Sequence, residues 1–173
     1  HLTKYLTEAG AKVLVSDLDQ EALKLVVNDF GVKIVDIHKI YNADIDIYSP
    51  CAMGSTLNDE TIPKLKCAIV AGSANNQLKD EIKHSQMLKD RGILYAPDYA
   101  INSGGLINCA NEIQGYNRKR AFKQAEGIYD TLMAIFSRAE LDDVTTHEAA
   151  LKEAKKRIED ISKLKNIYLS KNN

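Results

Sequence analysis

The chain has 173 residues, 45% of them hydrophobic and 27% charged, with a net charge of -1. That is enough apolar material for a core of its own, and the near-neutral balance leaves no electrostatic footprint for nucleic acid or an anionic membrane. No apolar run approaches the roughly 20 residues that span a bilayer, and the opening HLTKYLTEAG lacks the regions of a signal peptide.

The chain opens inside a helical pattern. Leu2, Tyr5, Leu6 and Ala9 recur at helical spacing, with Gly10 at the C′ position. No N-cap precedes them, which implies an absent upstream segment. KVLVSD (12–17) then reads as a short strand buried on both faces, ending in an aspartate. DQEALKLVVNDFG (19–31) is helical, with Leu23, Val26, Val27 and Phe30 on one face. Further strands are expected at 32–35, 44–50, 67–72 and 93–97, with a helical turn at 58–65 capped by Asn58 and a helix over 78–92. This alternation predicts right-handed crossovers, hence an α/β doubly wound parallel sheet with helices on both faces. From about Ser103 the pattern becomes helical. Phe122, Ala125, Tyr129, Leu132 and Phe136 form one stripe; Leu151, Ala154, Ile158, Ile161, Leu164 and Tyr168 form another. Both read as core or a docking face. Thr145 and Glu148 have capping-box spacing, and YNRKRAFK (116–123) reads as a solvated basic face.

In a doubly wound sheet, ligands bind beyond the carboxyl ends of the strands. Asp17 closes the first strand, where a carboxylate either accepts from an adenosine ribose or, like Asp19, caps the next helix. SPCAMGS (49–55) and AGSANNQ (71–77) follow later strands with small residues and amides, which are at once donors and acceptors. PDYAINSGGLIN (97–108) has the composition of a loop, with two asparagines and a bare Gly104–Gly105 pair. Each loop alone passes for a turn; their recurrence points to a ligand. The three cysteines and four histidines are scattered. They match neither a disulfide framework nor a metal site and fit reduced thiols in a cytoplasmic protein.

SPCAMGSTLNDETIPKLK, IVAGSANNQLK and YAPDYAINSGGLINCANEIQGYNRKRA resemble the cofactor-binding domain of the Glu/Leu/Phe/Val amino-acid dehydrogenases, leucine-type branch. The resemblance implies a Rossmann-type NAD-binding domain over residues 1–110, incomplete at its N-terminus, and helices over 111–173 that pack on the sheet edge and toward a catalytic domain. The family's Gly-rich turn and first strand, and the amino-terminal domain with its catalytic lysines and aspartate, are expected upstream of His1. The resemblance therefore assigns no catalytic residue to this chain, which alone is expected to be inactive; with the central first strand absent, either the missing part accompanies it or the chain alone folds poorly. It implies that Asp17 binds the ribose and favours NAD. It places Cys51 and Ala52 beside the adenosine and nicotinamide ribose, and Ala74 with Asn75 or Asn76 at the nicotinamide end. Asn102 matches the asparagine that bonds the carboxamide. Gly104 and Gly105 would let the chain pass under the ring and substrate, with Leu106 and Cys109 lining the substrate side-chain pocket. The implied activity is NAD-dependent oxidative deamination of a branched-chain L-amino acid by a homo-oligomer. The alternatives are a phenylalanine, valine or glutamate enzyme of the family, or a non-catalytic nucleotide-binding module.

Overall fold

The computed structural model describes residues 1–113 and 115–169. Helix α1 (Leu2–Glu8) leads into β1 (Leu14–Val15), which pairs in parallel with β2 (Lys33–Ile34). A second parallel sheet has the order β3 (Ile47–Tyr48), β4 (Ile69–Val70), β5 (Leu94–Tyr95). The ladders are shorter than the strands expected at 12–17, 32–35, 44–50, 67–72 and 93–97. An apolar run specifies burial, whereas a ladder needs a neighbour in register. Backbone bonds from Val35 to Val15 (2.9 Å), Ala71 to Tyr48 (3.0 Å) and Ala96 to Val70 (2.9 Å) continue the pairing to the strand ends.

The helix boundaries follow their caps. Asp19 Oδ1 accepts from the backbone N–H of Glu21 and Ala22, both at 3.0 Å, and so starts α2 (Gln20–Phe30); Gly31 ends it at φ 64°. Asp80 starts α3 (Glu81–Asp90) by accepting from Lys83 N–H at 2.8 Å. The turn expected over 58–65 contracts to a 3₁₀ turn at Ile62–Lys64. Asn58 does accept from the N–H of Glu60 and Thr61, but Pro63 has no N–H with which to continue an α-helix.

The loop-like PDYAINSGGLIN is largely helical: α4 spans Asp98–Ile101 and α5 spans Gly104–Ile113. Asn102 ends α4, and the glycine pair starts α5. Beyond it lie α6 (Arg118–Glu126), α7 (Ile128–Leu141) and α8 (Thr146–Leu169). Thr145 Oγ1 accepts from Glu148 N–H at 3.1 Å, forming the first half of the expected capping box.

The main core joins β3–β5 to α3 and the intervening loops through Tyr48, Leu57, Ile62, Val70, Leu88 and Tyr95. A smaller cluster packs Ile135, Ala139, Ala149 and Ala150 against Ala100 of α4. Of the two expected helical stripes, Phe136 packs against the smaller cluster, but neither stripe as a whole is a buried face. The first is split at Gly127, and Phe122 and Tyr129 are exposed while Ala121, Ile135 and Ala139 are buried. Of the second, Leu151, Ile158 and Ile161 are exposed, and the side chains of Leu164 and Tyr168 lie outside the described residues. Ala139, Ala149 and Ala150 let α7 and α8 approach closely, with Ile135 buried and Phe136 half-buried beside them. No helix among the described residues is long and apolar enough to cross a membrane.

Candidate functional site

The loops after β3 and β4 are laced together. Ala74 N–H donates to Pro50 O at 3.0 Å and Ser55 N–H to Asn76 O at 2.7 Å; Leu57 N–H donates to Gln77 O at 3.0 Å. Contact this close requires missing side chains. A Cβ on Gly72 would lie 2.2 Å from Pro50 O, and one on Gly54 would lie 2.7 Å from Asn75 O. Asn76 turns the chain at φ 51°, a conformation asparagine tolerates better than most residues. Gln77, fully buried, braces the turn from within: its Nε2 donates to Gly72 O at 2.8 Å and to Ala74 O at 3.0 Å. Sequence reasoning did not single it out, because a glutamine in an amide-rich loop carries no sign of burial.

The loop after β5 closes on the same place. Asn102, at the C-terminal end of α4, donates from Nδ2 to Asn75 Oδ1 at 2.5 Å and to Ser73 O at 3.4 Å. This bond joins two of the expected site residues across loops from different strands. α4 is held from below by Tyr95, whose hydroxyl lies 3.2 Å from Asp98 Oδ1 and accepts from Asp98 N–H at 3.3 Å. Tyr99 anchors its other side, donating to His147 O at 3.3 Å. Burial, helped by Glu81 and Asp98, pushes the Tyr99 phenol up to about 12, so it stays a neutral donor.

Gly104 and Gly105 follow within α5. Neither has a positive φ, and a Cβ on either would meet nothing within 4 Å. Backbone conformation and packing in this chain therefore do not require glycine here. Leu106 (75% exposed) and Cys109 project from the same helix, both open to solvent. Cys51 and Ala52 are exposed on the β3 loop, with Cys51 Sγ 3.4 Å from Ser49 Oγ.

Asp17 stands apart. It receives Asp19 N–H at 3.0 Å, and the helix cap belongs to Asp19. Its surroundings are a cleft of about 450 Å³ at the ends of β1 and β2, shared with Leu18, Leu23, Ile34, Asp36 and His38. Among the described residues, no hydrogen bond ties Asp17 to the other strand-end loops. A second unforeseen network fixes α5 on α6. Buried Asn111 donates to Gln124 Oε1 at 2.6 Å and receives Arg120 Nε at 2.5 Å. Arg120, expected on a solvated face, also donates to Gly115 O at 2.7 Å.

Parallel strands joined by crossover helices, with small and amide-bearing residues gathered at their carboxyl ends, define a Rossmann-type α/β protein. Within that class the chain belongs to the Glutamate/Leucine/Phenylalanine/Valine dehydrogenase family, which matches over residues 4–170. It is 49% identical over 168 residues to leucine dehydrogenase of Thermoactinomyces intermedius, covering 97% of this chain and 46% of that protein. It is 51% identical over 158 residues to L-tryptophan dehydrogenase of Nostoc punctiforme, covering 91% of this chain and 45% of that protein. The crystal structure of L-tryptophan dehydrogenase from Nostoc punctiforme superimposes with a TM-score of 0.90 at 50% identity, over 92% of this chain and 48% of that one. The chain thus spans about half the length of the curated relatives it matches.

Proposed function

We propose that this chain is the cofactor-binding part of an NAD-dependent L-amino-acid dehydrogenase of the leucine type, which deaminates a branched-chain L-amino acid to its 2-oxo acid and ammonia. The observation that carries this reading is the Gly104–Gly105 pair. It is bare although neither conformation nor packing requires it, and it adjoins Asn102, which is bonded to Asn75. Side chains are absent where a flat ring and a substrate would have to pass.

A nicotinamide dinucleotide fits the residues present. Asp17 would accept from ribose hydroxyls and repel a 2′-phosphate. The Cys51–Ala52 loop would flank the dinucleotide, with Ala74, Asn75, Asn76 and Asn102 around its nicotinamide end. When bound, the dinucleotide supplies the acceptor for the hydride of the amino-acid α-carbon. The chain's own share is positioning, since a near-attack geometry needs reacting atoms about 3–3.5 Å apart. Leu106 and Cys109 are uncharged and offer nothing to a γ-carboxylate, which favours an aliphatic substrate.

A second reading, an aromatic amino acid as substrate, is favoured by the match to an L-tryptophan dehydrogenase, as high as that to a leucine dehydrogenase. Steady-state kinetics on the full-length protein separates the two. L-leucine with NAD is expected to give the highest kcat/KM, Asn102→Ala to lower it about tenfold or more, as loss of one oriented hydrogen bond implies, and Asp17→Ala to relax the preference for NAD over NADP. A higher kcat/KM for L-tryptophan would establish the second reading. Failure to oxidise any amino acid with either dinucleotide would overturn both.

A further inference from the structure

The Asn75–Asn102 bond has a direction, and a third group decides it. Ser73 O, 3.4 Å from Asn102 Nδ2, is a carbonyl and can only accept. The Asn102 NH2 therefore faces inward, and Asn75 Oδ1 receives from it at 2.5 Å. Asn102 Oδ1 is left pointing away from both partners, and among the described residues no protein donor bonds it. A lone asparagine amide turns readily about its broad terminal torsion and can offer either its oxygen or its NH2.

We propose that Asn75 is a positioning residue. Its side-chain oxygen holds the Asn102 amide in the one orientation that presents Oδ1, so that the site selects a ligand group bearing an N–H donor, a primary carboxamide rather than a methyl ketone. The inference rests on the dinucleotide reading above. An aspartate at position 75 would supply the same acceptor oxygen; leucine or alanine would not. Without that oxygen, Ser73 O is a distant single partner, and the Asn102 amide is free to turn its NH2 outward to a ketone oxygen.

Calorimetry on the full-length protein tests this with three probes: NADH, the reduced 3-acetylpyridine analogue, which keeps the carbonyl and loses the N–H, and ADP-ribose, which lacks the ring. The unaltered protein should bind NADH about tenfold more tightly than the analogue, the size of one hydrogen bond. Asn75→Asp should keep that ratio. Asn75→Leu and Asn75→Ala should bring it to about twofold or less, with ADP-ribose affinity unchanged. An undiminished ratio in both variants, or no preference in the unaltered protein, would overturn the role of Asn75 while leaving the dinucleotide reading intact. Failure of the unaltered protein to bind NADH or ADP-ribose would overturn both. Should Asn75→Leu lose ADP-ribose through misfolding, Asn75→Ala decides.

Discussion

Gly72 and Gly105 show how one residue type serves opposite ends. At Gly72 a Cβ would sit 2.2 Å from the Pro50 carbonyl oxygen, and backbone on both sides leaves no room to yield. At Gly105 the same atom would enter open space from a helical conformation. Gly72→Ala is therefore expected to destabilise the protein by about 3 kcal/mol or more, at the upper end of overpacking costs. Gly105→Ala should leave stability unchanged or raise it by up to about 1 kcal/mol through helix propensity, while weakening NADH binding. Urea midpoints and an NADH titration on the same two variants check this. Equal destabilisation by both would remove the argument that Gly105 answers to a ligand. The two glycines look alike in the sequence, because what distinguishes them is the backbone brought opposite each by the fold.

Helix α3 shows what an element adds to its residues. Asp80 starts it, and its end near Gly92, at φ 68°, was legible, since a left-handed glycine is local chemistry. Its docking was not. His84 is buried, with Nδ1 accepting Asp80 N–H at 2.8 Å and Nε2 3.6 Å from Asp59 Oδ2. Beside it Lys83 Nζ lies 2.6 Å from Asp59 Oδ1. The hydrogen bond from Lys83 holds the Asp59 carboxyl below its ordinary value, with the charge of Lys83 assisting. A carboxyl depressed on folding stabilises above its unfolded pKa of about 4, and that contribution is lost as pH falls through the lower folded value. Lys83→Ala should thus lower the unfolding midpoint slightly at about pH 6 and not at about pH 2. A penalty persisting at the lower pH would mean that the lysine acts through packing.

At the scale of the whole molecule, burial is uneven. The buried hydrophobic residues of the first 40 positions are Leu23 and Val32, whereas β3–β5 and α3 share a continuous core from Tyr48 to Tyr95. The β1–β2 ladder stands as its own sheet. Backbone amides of β4 are therefore expected to exchange more slowly with deuterium than those of β1 and β2, in proportion to local packing. Uniform protection across both sheets would contradict this. Large apolar side chains remain exposed on α5, α6 and α7, among them Leu106, Ile113, Phe122 and Tyr129. The stripe that holds Phe122 and Tyr129 was visible as periodicity, but periodicity does not tell a core face from an open one.

By itself the sequence determined the alternation of strands and helices, the cap at Thr145, and the loops where small and amide-bearing residues collect. These depend on neighbours a few positions away, and the chain carries that information locally. Only the tertiary structure decided that Asn75 and not Asn76 meets Asn102, that Asp19 and not Asp17 caps α2, and that Gln77 and Asn111 lie buried inside polar networks. It also turned the loop-like start of 97–108 into the short helix α4, ahead of the helical pattern expected from about Ser103. Each of these outcomes depends on groups far apart in the chain or on competition between equivalent side chains. Such a contest is settled by which partner the packed backbone brings within hydrogen-bonding distance.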